Sequence, residues 1–324
     1  MKIILLSIAL CAAMSNMGFA LPQKTDLNPT VARSEFRIRD PFVLADDGVY
    51  YLYESKPWDG GNDVFVRRSV DLEHWTEKQS VMHIADDVPV QKVWAPEVHK
   101  YNGAYYLFVT LTMKQGTYFV SPLVPGCEKR LAPRGTWVYK ADGPTGPFMP
   151  VKNGPVPPQD WMTLDGTLYV EDGQPYMVFC HEWCQVKDGR MCYAPLAQDF
   201  ASFTAAPKTI FKASDAMKDA GIITDGPFLY RSPKCGALYM IWSNTVKRGG
   251  YCIFVRKSSC GKLAGPWSKD ELLFARDGGH GMIFKAFDGR LILTLHQPNN
   301  SPSERMALFE MEDVGGALRI KDRL

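Results

Sequence analysis

WAPEVHKYNGAYYLFV, residues 94–109, holds the pattern that decides the fold. A strand-like run leads to Tyr101, Asn102-Gly103 supplies a turn, and an aromatic-rich run follows from Ala104. Asn-Gly suits a two-residue hairpin turn, because both of its central residues must adopt positive φ. The same unit occurs at 40–53 as DPFVLADDGVYYLY and at 164–179 as LDGTLYVEDGQPYMVF. It returns as DGPFLY at 225–230, with a turn at Cys235-Gly236 and LYMIW at 238–242. The last copy is HGMIF at 280–284, with FDG at 287–289 and RLILTL at 290–295.

The units start at Asp40, Trp94, Asp165, Asp225 and His280, in steps of 54, 71, 60 and 55 residues. Each step leaves room for two further strands, and Asp63–Ser69, 136–140, 191–195 and 251–257 are candidates for them. Asp71 to Trp75, Gly146 to Phe148 and Gly265 to Trp267 read as outer-strand signatures. Repeated four-stranded units predict an all-β, five-bladed β-propeller. A β-sandwich would not require such a repeat. Lys24 to Arg37 is expected to close or wrap the ring, and Met113 to Arg134 to form one wall of the funnel. Only residues 215–220 suggest a helical turn.

Composition agrees. Of 324 residues, 46% are hydrophobic and 12% aromatic, and the formal net charge is +2. No dense Lys/Arg stripe marks a nucleic-acid surface. The N-terminus has the form of an export signal over residues 1–20: Lys2, a short apolar run from Ile3 to Ala13, and small residues before cleavage at Ala20. A single domain is then expected over 21–324, secreted or periplasmic, with no membrane span and as a monomer. Leu10 fits poorly with a lipoprotein anchor at Cys11. Seven cysteines would remain: Cys127, Cys180, Cys184, Cys192, Cys235, Cys252 and Cys260. Their spacing suggests no zinc site, and the odd number leaves at least one thiol free beside any disulfides.

In a propeller the innermost strands line a central channel, so each unit delivers residues to one funnel. First strands bring Asp40, Trp94, Asp165, Asp225 and His280. The returning strands bring Glu54, Thr110, His181 to Trp183, Ser243-Asn244 and His296. Three aspartates at matching places suit glycoside hydrolysis, which sets two carboxyl groups around the scissile bond. One must be ionised and one protonated, and a third carboxylate nearby raises the acid's pKa. Trp94 and Trp183 are candidates for stacking on sugar rings. The partner implied is an oligo- or polysaccharide.

These motifs resemble glycoside hydrolase family 43. Arg39-Asp40-Pro41 is similar to that family's base motif, and residues 94–98 to its second-blade motif. Residues 164–168 are similar to the segment with its pKa-modulating aspartate, and Gly279-His280-Gly281 to its fifth-blade histidine. The resemblance implies an inverting enzyme on plant-type glycans, an α-L-arabinofuranosidase, β-xylosidase or arabinanase, with carboxyl groups roughly 6.5–9.5 Å apart. It implies Asp40 as base and Asp165 as modulator. No cofactor is required, although His280 would face any central Ca²⁺ or Na⁺. Arg305 is similar to an arginine that orients the acid.

The family's proton donor is a Glu in Glu-Gly-Pro, and here the segment is Thr224-Asp225-Gly226-Pro227. Either Asp225 is the acid despite its shorter side chain, or Glu182 reaches the same spot. A third possibility is a non-catalytic glycan-binding propeller that has lost its acid. A sialidase would need an arginine triad and a fructosidase an Asn-Asp-Pro start, and Arg39-Asp40-Pro41 matches neither.

Overall fold

The computed structural model describes residues 27, 29–55, 61–117, 125 and 132–324. The export signal, Cys11, Cys127 and most of the Met113 to Arg134 insertion lie outside the described residues. A short strand β1 (Thr30–Ala32) opens the chain. The first blade is β2 (Phe42–Asp46), β3 (Val49–Ser55), β4 (Asp63–Ser69) and β6 (Gln79–His83), hydrogen-bonded in that order, while β5 (His74–Thr76) pairs with β1. The second blade is β7 (Val90–Tyr101), β8 (Ala104–Met113), β9 (Arg134–Ala141) and β10 (Met149–Pro150). The third is β11 (Thr163–Glu171), β12 (Gln174–His181), β13 (Arg190–Pro195) and β14 (Lys208–Lys212), with a helix α1 (Trp183–Val186) between its middle strands. The fourth is β15 (Asp225–Arg231), β16 (Leu238–Val246), β17 (Gly250–Ser258) and β18 (Glu271–Phe274). The fifth is β19 (Gly279–Lys285), β20 (Leu291–Gln297), β21 (Arg305–Asp313) and β22 (Leu318–Arg323). β2, β7, β11, β15 and β19 contact one another around the axis, so the expected five-bladed propeller is the observed fold.

The turn chemistry explains the blades. Asp47-Gly48, Asn102-Gly103 and Asp172-Gly173 each have both φ values positive, between 47° and 80°. That is the type I′ geometry whose twist matches its flanking strands. The Gly-Pro-Phe and Gly-Pro-Trp segments do not form outer strands. They lie in the connections ahead of β10 and β18. Residues 213–215, slightly before the expected turn, form one 3₁₀ turn.

Ring closure uses no blade with strands from both termini. Instead β19 packs against β2, and one apolar cluster joins Phe42, Val43 and Tyr50 to Met282, Phe284 and Leu308. The N-terminal segment adds polar ties. Arg33 Nη2 donates to the Leu324 carbonyl at 2.7 Å. Glu304, fully buried, receives Arg37 at 3.1 Å and Arg39 at 3.3 Å. The six cysteines among the described residues are all free. Four of them are buried, and Cys180, Cys192 and Cys252 pack as small apolar side chains.

Candidate active site

A shared kink aims the site residues. Each innermost strand carries, within it or just ahead of it, one residue with φ between 43° and 52°: Asp40, Ala95, Asp165, Gly226 and His280. In blades two to five this residue sits in a register shift, between Trp94/Glu97, Leu164/Thr167, Asp225/Phe228 and Gly279/Met282. Such bulges bend a strand and re-aim its side chains. Non-glycine residues resist positive φ, so outside contacts must hold them there. The previous blade supplies those contacts. Asp40 N donates to His296 Nδ1 at 3.3 Å, Asp165 N to Thr110 Oγ1 at 2.8 Å, and His280 N to Ser243 Oγ at 2.8 Å. Asp40 and Asp165 are therefore equivalent, whereas Asp225 is not. Gly226 takes the kinked position in the fourth blade, and Asp225 stands one residue before it.

These residues converge on a cavity of about 580 Å³ at one end of the ring. Asp40, Trp94, Asp165, Glu182, Trp183, Asp225 and His280 all line it. His280 is buried, with Nδ1 3.4 Å from Asp40 Oδ1 and 3.8 Å from Asp165 Oδ2. Burial alone would strip its proton. The negative charges of Asp40, Asp165, Asp225 and Glu97 outweigh that and raise its pKa. Asp40 is the reverse case. Burial pushes its pKa up, but His280, His296 and Arg39 together hold it well below the usual carboxylate range. The His296 Nδ1 lies 3.2 Å from Asp40 Oδ1 and Arg39 Nε 3.7 Å.

Asp165 and Asp225 line the same cavity. Burial, with the charges of Asp225 and Asp40, pushes Asp165 up to about 7, against the pull of His280. Its Oδ2 accepts from Gly226 N at 3.0 Å. Asp225 is also raised, by burial first, with Glu182 and Asp40 adding to it against His280 and Tyr251. Tyr251 donates to its Oδ2 at 3.1 Å. The arrangement thus lowers the pKa of Asp40 and raises those of Asp165 and Asp225.

Glu182 follows β12 and precedes α1. Its carboxylate forms an ion pair with Arg134 and accepts from the Cys184 thiol at 2.9 Å. Arg134 and Trp94 share one anchor, since Arg134 Nε and Trp94 Nε1 each donate to Thr112 Oγ1 at 3.0 Å. Lys92 Nζ stands 5.1 Å from the Trp94 ring centroid, so one face of that indole meets a cation. Arg305 is not among the cavity residues. It donates to the carbonyls of Ser34, Pro302 and Glu304 and ties β21 to the N-terminal segment. Arg39 is the arginine beside the carboxylates. Arg39, Arg134 and Tyr251 were not singled out from sequence. Only Arg39 had a signal, its place in the Asp40 motif, because third-strand residues carry no motif.

No group of three or more His, Cys, Asp or Glu among the described residues is arranged to hold a metal ion. His280 directs Nδ1 at the carboxylates of Asp40 and Asp165, so this nitrogen is engaged with them, and no step below passes through a cation.

The family model for glycosyl hydrolases family 43 matches residues 28–312. A solved endo-arabinase from Bacteroides thetaiotaomicron is 34% identical, with TM-score 0.75, over 89% of this chain and 98% of that one. An α-L-arabinofuranosidase from Lactobacillus brevis is 17% identical, with TM-score 0.69 over 90% and 95%, and shares the fold. A probable arabinan endo-1,5-alpha-L-arabinosidase B from Aspergillus fumigatus is 25% identical over 176 residues. That match spans 50% of this chain and 42% of the fungal protein.

Proposed function

The chain belongs to glycosyl hydrolases family 43, and on that footing we propose that it is an inverting glycosidase directed at α-L-arabinofuranosyl linkages of plant-type glycans. The observation that carries the reading is the convergence of Asp40, Asp165 and Asp225 with His280 in one cavity, where the surroundings lower the Asp40 pKa and raise that of Asp225. Asp40, kept ionised, takes a proton from a water that attacks the anomeric carbon. Asp225 gives its proton to the departing glycosidic oxygen as the carbon–oxygen bond breaks. Solvent then removes the proton from Asp40 and restores one to Asp225. Asp165 lines the same cavity as Asp225, and the charge of Asp225 helps to raise the Asp165 pKa. His280 balances the cluster and keeps Asp40 a competent base.

Asp225 is preferred to Glu182 as donor because Glu182 is committed to Arg134. The choice of arabinose follows the relatives, two of which are described as arabinan-cleaving enzymes. The non-catalytic reading has no support among them. The export signal at residues 1–20 belongs to the same proposal, and a mature N-terminus at Leu21 would bear it out.

The test is turnover of p-nitrophenyl arabinofuranoside, xyloside and galactoside, with early NMR of the sugar released. The proposal expects the arabinofuranoside to be the best substrate and the first-formed sugar to have inverted anomeric configuration. Retained configuration would rule out direct attack by water.

A further inference from the structure

We propose that Tyr251 is a positioning residue that orients the proton of Asp225, compensating for the short side chain at that place. The inference rests on the reading of Asp225 as acid. Tyr251 comes from β17, the third strand of its blade, yet it lines the cavity. Its hydroxyl donates to Asp225 Oδ2 at 3.1 Å. With Oδ2 engaged, Oδ1 is left to carry the proton. An aspartate has one torsion fewer than a glutamate, so a single donor at one oxygen goes far toward fixing the other.

The ring is held from several sides. It stacks on His296, with centroids 5.7 Å apart and planes 19° apart. His296 in turn contacts Asp40, so Tyr251 links the acid to the base. Glycines clear its path. A Cβ on Gly279 would lie 2.5 Å from two ring carbons, and Gly250, at φ +66°, has no room for a Cβ beside Asp277 Oδ1. Tyr251 remains a donor at working pH, because burial and the charges of Asp225, Asp40 and Asp165 raise its phenol well above the ordinary value.

The groups that face Asp225 are Asp165 from β11, the neutral Cys180 thiol from β12, Glu182, Tyr251, His280 from β19, and Asp40. Among them Tyr251 supplies the hydrogen bond to the carboxylate. A donor to the ionised form lowers a pKa, so its removal raises it. The acid must be protonated, so the alkaline limb of the kcat/KM profile moves with the Asp225 pKa.

The experiment compares the wild type, Y251F, D225N and the double variant on aryl and alkyl glycosides of the sugar that the wild type turns over. Y251F should lose about tenfold on the alkyl glycoside and little on the aryl one, and its alkaline limb should rise by about one pH unit. In the D225N background the Tyr251 change should add nothing. A 3-fluorotyrosine at 251 keeps the ring and strengthens the donor, so its limb should move down. That variant decides the matter if Y251F folds poorly. Equal losses on both substrates with an unmoved limb would make Tyr251 merely structural. Full alkyl-glycoside activity in D225N would instead overturn the acid assignment, whatever Y251F does.

Discussion

His280 Nδ1 stands 3.4 Å from Asp40 Oδ1, and the contact joins the innermost strand of the last blade to the segment that leads into the first. The charge pair at the centre of the site is thus also a joint of the ring. The pH window of its contribution follows from the two shifts. The His280 pKa is raised, so its contribution is full below the unfolded value and is lost as pH rises through the folded one. The Asp40 pKa is lowered, so its contribution is full above the unfolded value and is lost as pH falls. The stability difference between wild type and H280N should therefore be largest between about pH 4 and about pH 6.5 and shrink above it. Urea titrations across that range measure it, and a difference that grows toward pH 9 would contradict the imidazolium.

Gly226 is held to glycine chiefly by space. Its φ of +49° is one that Ala95 also adopts, but a Cβ would lie 2.8 Å from the His280 Cδ2. G226A should cost roughly 1–3 kcal/mol of stability and also lower kcat by displacing His280. A variant with wild-type kcat and melting temperature would show that the ring has room to move.

Glu304 closes the ring from outside the cavity. It is fully buried between Arg37 and Arg39, and Arg39 is also the arginine beside Asp40. E304A removes the carboxylate that both arginines share and should cost about 1.5–3 kcal/mol in denaturant unfolding. Its activity should fall as well, since Arg39 loses the contact that aims it.

The roles of Glu182 and Asp225 separate by leaving group. E182Q removes the charge that Arg134 balances, so aryl and alkyl glycosides should suffer alike. D225N should harm the alkyl glycoside far more. Leaving-group dependence in E182Q that matched D225N would give Glu182 the acid's place.

The propeller was legible because its hairpin turns need φ values that Asn-Gly and Asp-Gly supply, and those pairs stand between aromatic-rich strands. Asp40, Asp165 and His280 were legible for a related reason. The kink that aims them is followed by Pro41, Gly166 or Gly281, a small motif that recurs. The fourth blade misled, since Asp165-Gly166 and Asp225-Gly226 look alike while the kink falls on Asp165 in one and on Gly226 in the other. Sequence spacing does not say which residue of the pair takes positive φ. Tyr251 and Arg134 reach the site from third strands whose sequences read as ordinary β-structure. Arg305 was misplaced because an arginine shows its charge in the sequence but not its direction.

Mutation of the base is the most direct test of the account. With the glycoside that the wild type turns over best, D40N should retain its fold and lose about 10²–10⁴-fold in kcat/KM. D40N activity equal to the wild type would remove Asp40 as base and with it the mechanism proposed for this site.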